Sequence, residues 1–171
     1  GMYCLESDDS EAVSRIRLLA SGTLLREALA AAETLRQDYS VAVQVWSVTS
    51  FNELRRNSES VTRHNRLNPK AKAKQSTVTT LLGGDSTTPV VAATDYMKLY
   101  AEQIRQDLTA DYHVLGTDGF GRSDTRAALR DFFEVDAKMV AYTALQALEK
   151  QGHFTVDELL EAQTQLGIDV K

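Results

Sequence analysis

One cysteine and three histidines stand among the 171 residues, and that scarcity excludes several kinds of protein. A lone Cys4 cannot form an intramolecular disulfide and fits a reducing compartment, so a cytoplasmic setting is expected. His64, His113 and His153 lie far apart, none at ligand spacing from another His or Cys, so the pattern offers no metal site. No His neighbours Cys4, and no nucleophile–base pair can be argued. No apolar run approaches the ~20 residues of a membrane span, and no basic-then-apolar leader opens the chain. A net charge of −5 disfavours general nucleic-acid binding. There is neither an internal repeat nor a low-complexity tract.

What is present is a composition 43% hydrophobic, which is enough for one globular domain over residues 1–171 with a sizeable core. Ile16–Ala20, Val41–Val48, Val90–Thr94 and His113–Leu115 read as strands, with Pro89 at an end where no ladder donor is lost. Between them come helical patterns. Ser21 or Thr23 is expected to cap a helix carrying Leu24, Ala28, Ala32 and Leu35. Ser50 caps a short helix with Phe51 and Leu54. Asp95 caps one whose Met97, Tyr100, Ala101, Ile104 and Leu108 form a stripe. A short helix around Arg126–Arg130 precedes a longer one beyond Asp136, which Gly152 ends. The last helix opens on a capping box, Thr155-Val156-Asp157-Glu158, with Phe154 stapled on Leu159. Strands alternating with helices predict a three-layer α/β/α sandwich around a mostly parallel sheet of about five strands. Val43, Val45, Val91 and Leu115 are expected in central strands, with Ala28, Ala32 and Leu35 packed on the sheet.

Three local features bear on function. Gly116, Gly119 and Gly121 form an elbow between a strand and a helix, the setting of a phosphate cradle, but at neither dinucleotide nor P-loop spacing. Glycines that merely shape the turn, with Ser123 or Asp124 as a helix cap, are the plainer reading. Second, Arg55 to Gln75 carries Arg55, Arg56, Arg63, Arg66, Lys70, Lys72 and Lys74 against Glu59 alone. This reads as a docking surface for an acidic partner or nucleic acid, or as a solvated, partly mobile connection; it has few aromatics for base stacking. Third, Asp8, Asp9 and Glu11 form an acidic turn with Ser7 and Ser10, read as solvated.

Three longer runs carry a resemblance: Ser47-Val48-Thr49-Ser50-Phe51-Asn52-Glu53-Leu54, Thr94-Asp95-Tyr96-Met97-Lys98-Leu99 and Val114 to Asp124, joined by Phe133-Glu134-Val135-Asp136. In this order they resemble the C-terminal domain of bacterial homodimeric pyruvate dehydrogenases, over Tyr3 to about Val170. Gly1, Tyr3 and Leu5 match a Gly-x-Tyr-x-Leu run of those enzymes, although Gly1 before Met2 also reads as a tag remnant. The likeness departs between Arg63 and Leu82, where Asn68-Pro69-Lys70-Ala71-Lys72-Ala73-Lys74 replaces a more apolar segment.

The resemblance implies a transketolase-like parent whose first two domains hold thiamine diphosphate and magnesium across a dimer interface. Such a parent decarboxylates pyruvate and reductively acetylates the lipoyl group of an acyltransferase component. The Gly-Asp-Gly magnesium motif and the cofactor-activating glutamate belong to those other domains, and Gly84-Asp85-Ser86 does not reproduce the motif. This chain is therefore expected to be a structural third domain, inactive alone and without cofactor of its own. Thr117, Asp118, Gly119, Gly121, Arg122 and Ser123 are its candidate interface or anion-binding residues, with Arg122 reaching a neighbouring domain or subunit and Asp118 orienting it or capping backbone. The alternative is a free-standing α/β module that binds an anion at 116–124.

Overall fold

In the computed structural model, which describes residues 1–8, 10 and 12–169, a five-stranded sheet lies between two helical layers. Four strands are parallel: β2 (Arg15–Ala20), β3 (Ala42–Val48), β4 (Val90–Thr94) and β5 (Tyr112–Gly116). The fifth, β1 (Met2–Glu6), adds to β3 antiparallel, with Met2 opposite Val48 and Cys4 opposite Trp46. The order is β1-β3-β2-β4-β5. Because the chain leaves β2 for β3 on one side and later returns to place β4 on the other, a crevice opens at the carboxyl ends of β2 and β4.

Both faces of the sheet are apolar, as a parallel sheet requires. Ile16, Leu18, Val43, Val45 and Val91 meet α1 (Leu25–Tyr39), α6 (Ala137–Lys150) and α7 (Val156–Gln165). Ala28, Ala31 and Ala32 are fully buried, and their small size lets α1 lie close to the strands. Leu19, Trp46, Val90 and Ala92 meet α2 (Phe51–Leu67), α3 (Thr77–Leu82) and α4 (Lys98–Glu102) on the opposite face. Leu115, expected in a central strand, lies on β5 at the sheet edge and is only half buried.

Several helix starts differ from the sequence reading. Neither Ser21 nor Thr23 caps α1, which begins through a 3-10 turn at Gly22–Leu24. Adjacency of β2 and β4 draws both hydroxyls away: Ser21 Oγ donates to Thr94 Oγ1 (2.8 Å) and Thr23 Oγ1 to Asp95 Oδ2 (2.6 Å). Asp95, so occupied, caps nothing, and the helix after it is one turn long. Its expected stripe splits: Ala101 and Ile104 are buried, whereas Met97 and Tyr100 face solvent. Ser50 does cap α2, accepting from Glu53 N, but the helix is 17 residues rather than short and takes in the basic residues as far as Arg66. Arg56 pairs with Glu53 (2.7 Å) and Arg55 with Glu59 (3.3 Å) along it.

The C-terminal third follows the sequence reading more closely. Asp136 caps α6 at Met139 N, and Gly152, at φ +80°, ends it as His153 N bonds back to Leu148 O. Thr155 and Glu158 complete both halves of the capping box of α7. Helix α5 (Arg126–Phe132) is capped by Thr125 rather than Ser123 or Asp124. In the acidic turn Asp8 Oδ1 accepts from Ser10 N, while Asp9 and Glu11, like Val170, lie outside the described residues. Among the described residues no helix is long and apolar enough to cross a membrane.

One charged pair is set against the apolar sheet. Arg17, on the middle strand and 9% exposed, donates to Asp85 Oδ2 (2.9 Å) and to the carbonyl of Leu82 (3.1 Å). Asp85 Oδ1 in turn accepts from Thr87 N, Thr87 Oγ1 and Thr88 N. Burial raises the Asp85 pKa, but the hydrogen bonds from Thr88 and Thr87 outweigh it and hold the carboxyl far below the usual range.

Two expectations follow. Val91→Asp places an unpaired carboxylate in the core at a cost of several kcal/mol, comparable with the ~5–15 kcal/mol stability of a domain. Circular dichroism should show no native melting transition; a melt within a few degrees of wild type would reject the placement of β4. Because the Asp85 pKa is depressed on folding, its contribution is complete above the unfolded value near 3.8 and is lost as pH falls below it. Asp85→Asn should therefore flatten the decline of melting temperature between about pH 5 and pH 2, and an unchanged slope would refute that role.

Candidate functional site

The carboxyl ends of β2, β4 and β5 bring three loops together at one edge of the sheet. The elbow after β5 is shaped by backbone proximity. A Cβ on Gly116 would stand 2.9 Å from both Lys98 N and Tyr96 O, so only glycine lets the end of β5 pass the loop after β4. Thr117 N then donates to Tyr96 O (3.0 Å), and the Thr117 hydroxyl bonds the Asp95 carbonyl. Asp118 Oδ1 accepts from Lys98 N (3.0 Å), giving α4 the cap that Asp95 does not supply. Of the two roles expected for Asp118, the structure shows backbone capping. Gly119 adopts φ +103°, a left-handed region that suits glycine.

Beyond the elbow lies a cleft of about 460 Å³. Thr23, Asp95, Thr117, Gly119, Gly121 and Arg122 line it with Phe120, Asp124, Arg126, Leu129, Arg130, Phe133 and Val135. Of the expected residues it thus gathers Thr117, Gly119, Gly121 and Arg122; Asp118 turns to α4, and Ser123 is exposed outside the lining.

The charges around this cleft are largely committed to one another. Glu27 of α1 accepts from Arg130 (2.5 Å) and from Ala137 N (2.9 Å), and Arg130 also donates to Thr23 Oγ1 (3.2 Å). Thr23 continues to Asp95, and Asp95 to Thr117. This chain of contacts ties α1, α5, α6 and the three loops into one frame. At the start of α5, Thr125 N is held by Asp124 and Ala128 N by Thr125. Two arginines remain outside the frame. Arg126 is exposed, and Arg122 lies over the Phe132 ring, 4.0 Å from its centroid.

Large apolar side chains are exposed along the same edge. Tyr96, Met97, Leu99 and Tyr100 follow β4, with Leu99 65% and Tyr96 64% exposed; Phe120 (95%) and Phe132 follow β5. Tyr96 and Tyr100 lie against each other, ring centroids 5.2 Å apart, beside a second cleft of about 330 Å³ whose walls include Ser50 and Phe51. Apolar patches of this kind mark interaction surfaces. The sequence reading missed them because it assigned Met97 and Tyr100 to a buried stripe. Four large side chains within six residues of a strand end, after an aspartate at the turn, were the available signal.

A family model described as the transketolase-like TK C-terminal domain matches residues 1–136. The chain is 55% identical over 170 residues to the "Pyruvate dehydrogenase E1 component" of Pseudomonas aeruginosa and 44% identical over 170 to that of Escherichia coli K12. Each match covers 99% of this chain and 19% of the relative, so the chain spans about a fifth of their length. Among solved structures, a transketolase from Leishmania mexicana aligns with a TM-score of 0.56 at 21% identity, covering 88% of this chain and 18% of that one. A "split gene transketolase, inactive beta4 tetramer" aligns at 0.56 and 17%, covering 87% and 42%. These two show the shared fold.

The close backbone passage at the elbow predicts a contrast. Gly116→Ala should cost roughly 1–3 kcal/mol and several degrees of melting temperature, because backbone rather than a flexible side-chain tip stands in the way. Gly121→Ala, with nothing within 4 Å, should melt with wild type. Equal behaviour of the two in thermal denaturation would contradict the assigned packing.

Proposed function

The chain belongs to the transketolase-like C-terminal domain family, and from that premise we propose that it is the C-terminal assembly domain of a pyruvate dehydrogenase. The parent enzyme would be a cytoplasmic homodimer that decarboxylates pyruvate and reductively acetylates the lipoyl group of the acyltransferase component. On this reading residues 1–171 form one domain that positions the other two and the second subunit.

One observation carries the proposal: the exposed Tyr96, Met97, Leu99, Tyr100, Phe120 and Phe132 share one edge of the sheet, on loops held by the Glu27–Arg130–Thr23–Asp95 frame. Rigidly presented aromatic and apolar side chains suit the centre of an interface. Arg122, braced on Phe132, supplies a planar fork for a carboxylate across that interface.

The residues present do not fit the magnesium of the parent family. Asp85 of Gly84-Asp85-Ser86 is turned inward, one oxygen on Arg17 and the other on Thr87 and Thr88. Among the described residues no group of three His, Cys, Asp or Glu could hold a metal ion. On this reading cofactor and metal belong to the parent's other domains. A module built around an anion at 116–124 is less well supported, since Arg130 is neutralised by Glu27 and Asp95 and Asp124 also border the cleft.

The full-length enzyme provides the test. Leu99→Ser with Tyr96→Ser should raise the dimer dissociation constant about 30-fold, the equivalent of ~2 kcal/mol for truncating interface anchors. Arg122→Ala should lower the heat resistance of the enzyme while the melting temperature of residues 1–171 alone stays nearly unchanged. Equal losses in both settings would mean that these side chains support the domain's own fold, and the assembly role would fall.

A further inference from the structure

Helix α2 starts at the aromatic edge, at Ser50, and its 17 residues run roughly 25 Å back along the sheet. Its far end and the loop to α3 carry Arg63, Arg66, Lys70, Lys72 and Lys74, all exposed. Arg55 and Arg56, nearer the start, have glutamate partners, whereas these five have no ion pair among the described residues. No Asp or Glu occurs between Glu59 and Asp85, although the whole chain has a net charge of −5. Like charges this close repel one another, which weakens the fold unless something of opposite sign engages them.

The sequence reading left open whether this stretch is a partly mobile connection. The structure fixes it in place. Asn65 on α2 donates its amide to the Lys74 carbonyl and accepts from Lys74 N, both at 2.9 Å, as a neighbouring strand would. Asn57 Oδ1 accepts from Thr77 N (2.7 Å), the Asn68 side-chain amide donates to the His64 carbonyl (2.8 Å), and the Asn68 backbone carbonyl closes a turn with Ala71 N (3.0 Å). Side-chain amides thus hold the loop against the helix. A solvated linker would not need its backbone pinned at both ends, while a recognition surface benefits from charges presented on fixed backbone.

We propose that the end of α2 and the loop 68–75 form a docking surface for an extended acidic segment of a partner protein. Charge complementarity selects the sign of the partner. No Phe, Tyr or Trp occurs between Phe51 and Tyr96, which leaves little stacking platform for bases and selects a peptide over nucleic acid. Leu67 is the one large apolar side chain exposed in this region, too little to anchor a lipid surface. The surface is at the opposite end of α2 from the aromatic edge and stands independently of the assembly role.

The test uses fluorescence anisotropy with a labelled peptide of alternating Glu and Ser, and oligothymidylate and anionic phosphatidylserine vesicles as competitors. The peptide should bind at low salt and be released as salt rises from about 20 mM to about 500 mM, as screening shortens. Replacing Lys70, Lys72 and Lys74 together by Gln should weaken it about tenfold, the sum of three exposed ion pairs. Asn65→Ala, which leaves the charge unaltered but frees the loop, should weaken it several-fold. Absence of peptide binding at low salt would overturn the proposal. So would oligothymidylate or vesicles competing as well as the unlabelled peptide, since the face would then be a general polyanion surface. A folded Asn65→Ala chain with wild-type affinity would do the same. If Asn65→Ala unfolds, the lysine variant decides alone.

Discussion

The placement of β4 depends on an arginine that the apolar pattern of the sheet does not foresee. Arg17 occupies the middle strand, and on the face covered by α2, α3 and α4 its guanidinium reaches the end of α3 and Asp85. Its own backbone N–H donates to Pro89 O at the entry to β4. One residue therefore fixes both the end of the long crossover and the start of the strand that it delivers. Replacing a buried pair by apolar residues of the same shape can leave stability unchanged, but removing one member strands the other, at about 3–5 kcal/mol for a fully buried pair. Asp85 keeps a third of its side-chain surface, so the cost here lies below that range. The contribution of the pair is chiefly to register. With β4 held beside β2, the chain reverses its direction of travel through the sheet, and the crevice at their carboxyl ends follows from that reversal.

At that crevice the polar groups act as scaffolding. Thr23 and Asp95 join the loops after β2 and β4, and Thr117 joins the second of these to the elbow. Glu27 and Arg130 then bind this set to three helices. Hydroxyls that would ordinarily cap α1 are used across the sheet edge, which explains why that helix starts through a 3-10 turn. A frame with its charges internally satisfied has little left for a soluble anion. It holds the aromatic side chains around it in place, and rigid anchors lose less entropy on docking than mobile ones.

Where one physical factor decided the outcome, the sequence was readable. The β-branched runs at 41–48 and 90–94 are strands because they are buried on both faces, and Asp136, Gly152 and the Thr155–Glu158 box set helix ends through purely local bonds. Readings failed where distant partners competed. Asp95 looked like a cap until Thr23, far away in sequence, claimed its carboxylate, and Asp118 took over the role from the next loop. Strand β1 buries only Met2, so it has no apolar alternation to display, and α3 hides behind β-branched threonines and a valine. The later turns of α2 bury a single serine and are carried by charge and asparagine contacts instead of an apolar stripe. In the candidate site the glycine elbow was legible because glycine reports backbone crowding directly. The exposed Tyr96, Met97 and Tyr100 were not, since an aromatic run at helical spacing reads as core whether or not the helix continues long enough to bury it.

The two ends of α2 face solvent with opposite physics. At its start, near the carboxyl edge of the sheet, uncharged rings present apolar area whose attraction is short-ranged, insensitive to salt and strong once water is expelled. At its far end, five unpaired cations act over about a Debye length, with each contact worth little and easily exchanged. A contact meant to be permanent is well served by the first and a repeated, reversible one by the second. On the proposed reading, a domain that joined subunits at one edge and met a charged partner at the other would need both, and α2, with Phe51 and Leu54 buried at one end and exposed arginines at the other, spans the distance between them.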